Sequence, residues 1–189
     1  FMALSPAGED EVVTCPKCRY AANKEKAECR RGTKAPTELE TQEMPPVEPV
    51  QTPGMRTIEE VSAFLKVKPW ALVKTILFRT HNGFIAALVR GDQEVNAPKL
   101  QRLAKATVLE MATPEEIQKV TGGPIGFSGP IGLPVPIYAD LAIEQMANFV
   151  TGSNQRDVHL RNVNANRDFR PDAYADIRMA VPGDPCPKC

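Results

Sequence analysis

Two short cysteine pairs, one near each end of the chain, constrain its fold more than any other sequence feature. They read Cys15-Pro-Lys-Cys18 and Cys186-Pro-Lys-Cys189, and in each pair the spacing lets both sulfurs bind one ion. Four thiolates favour tetrahedral zinc at a closed structural site. We therefore predict a structural zinc ion that holds the two ends of the chain together. The alternative is two independent dithiols, either free of metal or oxidised.

The rest of the composition narrows the class of protein. With 42% hydrophobic residues the chain can build a core, so its five cysteines do not indicate a disulfide scaffold. Cys29, outside both pairs, is expected to be a packing or surface residue. No apolar run approaches the roughly 18 residues of a membrane span, and no secretory signal pattern opens the chain. We predict no membrane partner.

The charge balance argues against a bulk nucleic-acid binder. Lys plus Arg and Asp plus Glu both number 23, which gives zero formal net charge, whereas such binders usually carry a basic excess. Any RNA contact is predicted to be local. Positive charge is clustered in two groups of three residues, each of which is either a solvated face or such a contact. These groups are Arg30, Arg31 and Lys34, and Lys99, Arg102 and Lys105.

Composition also divides the chain into three segments. Residues 1–50 carry the first cysteine pair and run into a Pro- and Glu-rich stretch at 36–54, which predicts an extended linker. Residues 51–170 predict one compact domain, and residues 171–189 form a return segment with the second cysteine pair. The opening Phe1-Met2 and the terminal Cys189 suggest that the chain is cut from a longer one.

The central segment mixes helix and strand signals. Capping boxes at Thr57–Glu60 and Thr113–Glu116 predict two helix starts, and Asn96 and Asp140 are candidate caps for two more helices. Strands are predicted between them, with His81-Asn-Gly83 as a hairpin turn. The predicted strands are 72–79, 84–90, 135–139 and 158–163. We predict an α/β fold of the mixed α+β type, with a central mixed sheet surrounded by helices.

Three features in this segment are candidates for chemistry. Residues 122–136 contain five glycines and four prolines, so this stretch is either a surface connector or a stiff loop whose N–H groups hold an anion. Lys74 alternates with Ile76 and Phe78 on an apolar strand face, where a lysine either reaches solvent or binds an anion. His159 is either a structural or a functional histidine. A nucleophilic triad is not favoured, because the nucleophile elbow is absent around Ser128.

Several segments together resemble the editing insertion of bacterial-type prolyl-tRNA synthetases. The resemblance covers essentially the whole chain and is specific in combination. The segments that carry it are Phe1–Leu4, Gly8–Glu11, Tyr20–Asn23, Thr52–Glu60, Val73–Leu77, Leu88–Asp92, Glu94–Asn96, Gly126–Pro130, Val150–Gly152 and Asn154. One departure concerns the pair Asn164-Ala165, where the family usually has Asn-Trp, and it bears on the shape of the pocket.

The resemblance implies a fold like that of the free-standing trans-editing deacylases, and hydrolysis of the ester in alanyl-tRNA(Pro). It implies that Lys74 holds the terminal phosphate or ribose of the tRNA, and that Gly126 and Pro130 frame the ester. His159 would line the amino-acid pocket and Asp140 would be a pocket aspartate. Lys99 and Arg102 are added as candidate tRNA contacts.

The implied partners are the 3′ end of tRNA(Pro) carrying alanine and the catalytic domain of a parent synthetase, in the cytoplasm. Hydrolysis would need no metal, and ATP and Mg²⁺ would serve only the parent synthetase. Water would attack the ester, placed by the loop backbone and assisted by the ribose hydroxyl of the substrate. Two other hypotheses remain: a zinc-clamped tRNA-binding insertion without hydrolysis, and a hydrolase that uses the cysteine-bound metal.

Overall fold

The computed structural model describes residues 11–30 and 44–189. The expected chain start at Phe1-Met2, and Arg31 and Lys34 of the first basic cluster, lie outside the described residues. Two short 3-10 turns, at Pro69–Ala71 and Ile143–Gln145, accompany the helices and strands. In chain order these are β1 (Val12–Thr14), β2 (Ala21–Asn23), β3 (Glu48–Gln51), α1 (Ile58–Leu65), β4 (Val73–Thr80), β5 (Gly83–Arg90), α2 (Ala97–Leu103), β6 (Leu109–Met111), α3 (Pro114–Thr121), β7 (Ile137–Asp140), β8 (Phe149–Gly152), β9 (Val158–Val163) and β10 (Ala173–Ala175).

A five-stranded mixed sheet forms the centre of the domain, in the order β10-β7-β5-β4-β6. β4 and β5 form the predicted antiparallel hairpin, whereas β7 runs parallel to both β5 and β10. A second sheet, in the order β3-β9-β8, packs against it through a core that includes Leu88, Phe149 and Val163. The predicted mixed α/β fold with a central sheet is confirmed.

The helices begin where local capping chemistry predicts. Thr57 and Thr113 both form complete capping boxes with the glutamates three residues later. Asn96 accepts a hydrogen bond from the Lys99 N–H and so caps α2. Asp140 is the exception, because it ends β7 and only the short turn Ile143–Gln145 follows. The fourth helix that we expected is therefore absent from the described residues.

The predicted linker is wrong for residues 48–51. They form β3, which pairs antiparallel with β9 and sets Val50 opposite His159. Pro49 does not break this strand because β3 is at the edge of its sheet, where a missing N–H is tolerated. β3 also crosses the boundary that we expected at residue 50, so the division into three segments stays a prediction.

The return segment is joined to the core rather than loosely attached. β10 extends the central sheet, and Val95 bridges to Arg178. The first cysteine pair lies between β1 and β2, which form a hairpin. Ala27, Cys29 and Ala180 pack together beside this hairpin. Cys29 is thus a buried packing residue. Among residues 11–30 and 44–189, no helix combines the length and apolar character needed to cross a membrane.

Candidate active site and cysteine cluster

A cleft of about 310 Å³ opens beside the free edge of β4. β6 pairs with β4 only at residues 78–80, so no strand among the described residues pairs with the edge from Val73 to Leu77 on that side. The Thr151 hydroxyl donates to the Val73 carbonyl at 3.0 Å, and the Ala112 N–H donates to the Leu77 carbonyl at 3.0 Å. Between these two contacts the edge of β4 forms one wall of the cleft. The other walls come from the start of α1, the loop around Gly126, and Gly152 and His159.

His159 borders the cleft and is only 5% exposed. Its Nδ1 is 2.7 Å from the hydroxyl of Thr52, which is fully buried. Its ring also packs against Phe127, with 5.6 Å between the ring centroids. Burial lowers the pKa of His159, which favours a neutral ring at neutral pH. Because Nδ1 is engaged with Thr52, the ring can offer Nε2 to the cleft.

The loop around Gly126 follows a path that only small residues permit. Gly126 has a φ of +92°, and a Cβ there would lie 3.0 Å from the Cβ of Arg56. Gly129 is packed directly on β8, since a Cβ there would lie 1.8 Å from the Gly152 carbonyl oxygen. Asn154 fixes this contact, because its amide accepts from the Gly129 N–H and donates to the Gly129 carbonyl. The loop is therefore a built wall and not a loose connector.

This wall carries backbone donors that the fold itself does not use. Gly126 and Ser128 both border the cleft, and within the described part of the chain their N–H groups donate to no partner. Fixed N–H groups beside an apolar cleft can stabilise negative charge on an ester oxygen. Pro130 is buried behind the loop and does not border the cleft, so it supports the wall rather than lining it.

Lys74 borders the cleft from β4. Its ammonium pairs with the Glu94 carboxylate at 2.6 Å; the lysine side chain is 18% exposed and that of Glu94 is 75% exposed. A well-exposed carboxylate is a weak competitor for a bound anion, since water and salt screen the pair. Lys74 is thus neither buried nor free. It is held at the rim of the cleft by a partner that solvent can replace.

The structure does not bring Asp140 and Lys99 to the cleft, which corrects two expectations. Asp140 is 2% exposed and accepts hydrogen bonds from the N–H groups of Ala142 and Ile177. Burial raises its pKa. The Lys99 ammonium is buried against the Asp176 carboxylate at 2.8 Å and the Arg178 carbonyl at 3.0 Å. Both residues join the return segment to the core, so their partners are inside the protein.

Two further residues lie outside the cleft. Arg102 is exposed on α2 and does not border the cleft, so its tRNA contact stays a prediction. Ala165, where the family usually has Trp, is partly buried and packs against the core around Phe149. Ala165 therefore does not line this cleft.

The two cysteine pairs meet in space as the sequence predicts. Their four Sγ atoms lie within 4.8 Å of one another. Cys15 is 3.7 Å from Cys189, and Cys18 is 3.7 Å from Cys186. A tetrahedral ion with metal–sulfur bonds of about 2.3 Å requires sulfurs roughly 3.8 Å apart, so the cluster fits one ion.

Backbone N–H groups further prepare the sulfurs for a metal. Lys17, Tyr20 and Lys188 each donate to a cysteine sulfur at 3.4 Å. The donation from Lys17 contributes most to lowering the pKa of Cys15 to about 6, which favours the thiolate that metals bind, whereas the neighbouring sulfurs raise the pKa of Cys189 to about 12. The four cysteines can therefore hold a metal ion.

Comparison with known proteins agrees with this fold. The sequence pattern of the aminoacyl-tRNA editing domain matches residues 52–169, and the chain belongs to that family. Along its whole length it is 52% identical to the proline–tRNA ligase of Geobacter sulfurreducens. It is 46% identical to that of Caldicellulosiruptor saccharolyticus, again over 100% of the chain. The chain spans 32% of the length of each of these relatives.

A solved structure supports the fold alone. It is described as a candidate trans-editing enzyme for prolyl tRNA synthetase, and it superposes with a TM-score of 0.60 at 24% identity. The match covers 71% of this chain and 87% of that one.

Sequence reasoning missed several residues that build the cleft. Thr52 was noted only as part of a resembling segment, although its hydroxyl contacts His159. Arg56 and Thr151 were given no role, yet both border the cleft. Val50 lies opposite His159 in the pair of β3 and β9, and Thr52 follows two residues later. The contact between Thr52 and His159 is therefore predictable only if residues 48–51 are recognised as a strand.

Proposed function

We propose that this chain is the editing domain of a prolyl-tRNA synthetase and that it hydrolyses the ester of tRNA(Pro) mischarged with alanine. The observation that carries the proposal is the cleft, which His159 borders together with Gly126 and Ser128, whose N–H groups donate to no partner among the described residues. Family membership and the relatedness to proline–tRNA ligases support the same reading. ATP and Mg²⁺ would serve only the catalytic domain of the parent enzyme, in the cytoplasm.

The cleft is suited to hydrolysis without a protein nucleophile. The ester carbonyl would lie against the N–H groups of Gly126 and Ser128, which would stabilise the oxyanion as water attacks. His159 would contact the aminoacyl group and hold its orientation through the Thr52 hydroxyl. Attack by water would be assisted by the neighbouring ribose hydroxyl of the substrate, and Lys74 would bind the phosphate or ribose of the 3′ end.

The physical need for such a site comes from the size of the two amino acids. A synthetic pocket built for proline cannot strongly exclude the smaller alanine, because each missing methylene is worth only about 1–3 kcal/mol of discrimination. A second, smaller pocket removes the mistake after it has been made. The His159 ring borders the cleft with the buried Phe127 ring packed against it, and it would form the end wall that limits what enters.

The size limit gives the first prediction. The 189-residue chain is expected to hydrolyse alanyl-tRNA(Pro) and to spare prolyl-tRNA(Pro), because the proline ring would clash with the end wall. Rates of deacylation of the two radiolabelled substrates measure this directly. Equal rates would contradict the sieve, and tRNA binding without hydrolysis of either substrate would favour the tRNA-binding insertion instead. A chelator that stops hydrolysis while the fold survives would favour a metal-dependent hydrolase.

We also propose that the ion held by the cysteine cluster is zinc with a structural role. Four thiolates leave no open position for a substrate or water, so the ion would tie the ends of the chain together and take no part in hydrolysis. The clamp would hold Cys15 and Cys18 beside the return segment, which β10 in turn joins to the central sheet.

The zinc site gives the second prediction. Elemental analysis is expected to find about one zinc per chain, and the Cys15→Ser and Cys186→Ser variants are expected to lose it, since three thiolates bind the ion less well. Cys29→Ala is the matched control, because Cys29 lies outside the cluster and should leave the zinc content unchanged. A wild-type chain that folds fully with no bound metal would contradict the assignment.

A further inference from the structure

The two cysteine pairs are held to the protein in different ways. The first pair lies in the turn of the β1–β2 hairpin, where the Cys15 N–H donates to the Tyr20 carbonyl at 3.0 Å. The second pair lies in no hairpin, because β10 ends at residue 175 and no strand among the described residues follows it. The second pair therefore needs another anchor if it is to meet the first.

The Asp184 carboxylate, two residues before Cys186, supplies this anchor. It accepts hydrogen bonds from Nη1 and Nη2 of Arg178, at 2.6 and 2.8 Å, and from the Val181 N–H at 2.8 Å. The Asp184 N–H in turn donates to the Val181 carbonyl at 3.1 Å, which closes the turn from both sides. Within the described residues, the hydrogen bonds that join residues 181–185 to the rest of the protein all end on this carboxylate.

Arg178 is itself fixed in place. Its side chain is 6% exposed and that of Asp184 is 20% exposed, so solvent and salt screen the pair little. The backbone of Arg178 bridges to Val95, and its carbonyl accepts from the Lys99 ammonium at 3.0 Å. One guanidinium thus ties the Asp184 carboxylate to the loop after β5 and to α2.

The path from this anchor to the metal ligand is short and stiff. Only Pro185 separates Asp184 from Cys186. A proline ring fixes φ at about −65°, so few backbone rotations remain between the anchored carboxylate and the Cys186 sulfur. That sulfur lies 3.7 Å from the Cys18 sulfur, which is close to the separation that one tetrahedral ion requires.

We propose that the Arg178–Asp184 pair positions the second cysteine pair before the metal binds. Both residues act through the backbone of residues 181–186, and neither supplies a ligand. When the second cysteine pair is already in place, metal binding has to order fewer residues, so the affinity for the metal is higher. This positioning role rests on the proposed zinc site, and it explains how the second pair meets the first without a strand of its own.

Zinc affinity of the reduced, metal-free chain tests this role. A chromogenic chelator competes for Zn²⁺, and the spectrum of bound Co²⁺ reports whether the site is still tetrahedral with sulfur ligands. Asp184→Asn should weaken zinc binding by about 10–100-fold, the range for residues that orient metal ligands, because a neutral amide holds the guanidinium less firmly.

The pair of Arg90 and Asp92 offers a matched control. Its guanidinium also contacts both carboxylate oxygens, at 2.9 and 2.6 Å, but it lies at the partly exposed end of β5 and contacts no cysteine. Asp92→Asn should therefore bind zinc as wild type does.

Urea unfolding with and without zinc separates positioning from a general loss of stability. Bound zinc raises the free energy of unfolding by an amount that depends on its dissociation constant. This zinc-dependent gain should be smaller in Asp184→Asn than in wild type. A pair that only stabilised the fold would lower the stability equally with and without zinc, and would leave the gain unchanged.

A second variant covers the case in which Asp184→Asn does not fold, since that change weakens the partner of a buried guanidinium. Arg178→Met/Asp184→Leu removes both charges, which proteins often tolerate better than the loss of one. It should fold without metal, as circular dichroism would show, and should also bind zinc about 10–100-fold more weakly than wild type.

The outcomes separate the positioning role from the zinc site itself. Wild-type zinc affinity in either folded variant would overturn the positioning role and leave the zinc site standing. Equal weakening in Asp92→Asn would overturn it too, because any lost ion pair would then have the effect. A wild-type chain that binds no zinc would overturn the proposed zinc site and the positioning role with it.

Discussion

Replacement of Lys74 by alanine is expected to lower kcat/KM for alanyl-tRNA(Pro) hydrolysis. The expected loss of transition-state stabilisation is about 2–4 kcal/mol, the scale for one placed charge in a preorganised site. The ammonium borders the cleft and is held only by the exposed carboxylate of Glu94, so an anionic 3′ end can take its place. The fold should be unchanged, because a salt bridge to so exposed a partner contributes little to stability. Single-turnover deacylation and circular dichroism measure the two effects.

Three variants sharpen this experiment. Lys68→Ala removes an exposed lysine that does not border the cleft and should leave the rate unchanged. Lys74→Arg should restore little activity, because a planar guanidinium does not replace a compact ammonium. Glu94→Gln should not lower the rate, since the substrate displaces this carboxylate. Wild-type activity in Lys74→Ala would reduce the lysine to one half of a surface ion pair and would remove the centre of the proposed site.

Replacement of Lys99 by methionine is expected to lower the free energy of unfolding by about 3–5 kcal/mol, the cost of leaving one partner of a buried ion pair uncompensated. The ammonium contacts both oxygens of Asp176, at 2.9 and 2.8 Å, and also the Arg178 carbonyl. Methionine fills a similar volume but carries no charge and donates no hydrogen bond, so the Asp176 carboxylate keeps only the Cys29 N–H and the Arg178 carbonyl loses this donor. Urea denaturation monitored by circular dichroism measures the loss.

The control for this variant is Lys119→Met on α3, where the lysine is exposed and the change should stay within about 0.5 kcal/mol. Adding Asp176→Leu to Lys99→Met should recover part of the loss, since it removes the uncompensated carboxylate. If Lys99→Met is as stable as Lys119→Met, the buried pair does not hold the return segment to the core. Weaker tRNA binding by Lys99→Met with unchanged stability would restore its expected role as an RNA contact.

Where a pattern is local, its interpretation in sequence agreed with the structure. Both capping boxes begin helices, because Thr57 and Thr113 need only the N–H groups three residues later. The turn at His81-Asn82-Gly83 fixed the hairpin of β4 and β5, since its glycine accepts a positive φ. The meeting of the two cysteine pairs was also predictable, because four thiolates with this spacing can bind a single ion.

Where a residue's partner is distant in sequence, the local sequence pattern could not predict the contact. Asp140 has the local signature of a cap, yet it accepts from Ile177, which a parallel strand pairing brings near. Lys99 looked like part of a basic surface, and only the return of residues 173–178 to the sheet buries it against Asp176. A cluster of like charges in sequence carries no information about the side of the helix on which an opposite charge will lie.

The sequence alone therefore predicted three of the four expected helix starts, the hairpin, the cluster of four cysteines and, through resemblance, the residues Lys74, Gly126 and His159 of the proposed site. The tertiary structure decided which of these share one cleft. It showed that residues 48–51 form β3 rather than a linker and that the Thr52 hydroxyl contacts His159. It also placed Arg56, Met111 and Ile125 at the border of the cleft. The reason is that caps and turns depend on neighbours within a few residues, whereas a cleft is bounded by strand edges and loops whose contacts form only when distant segments pack.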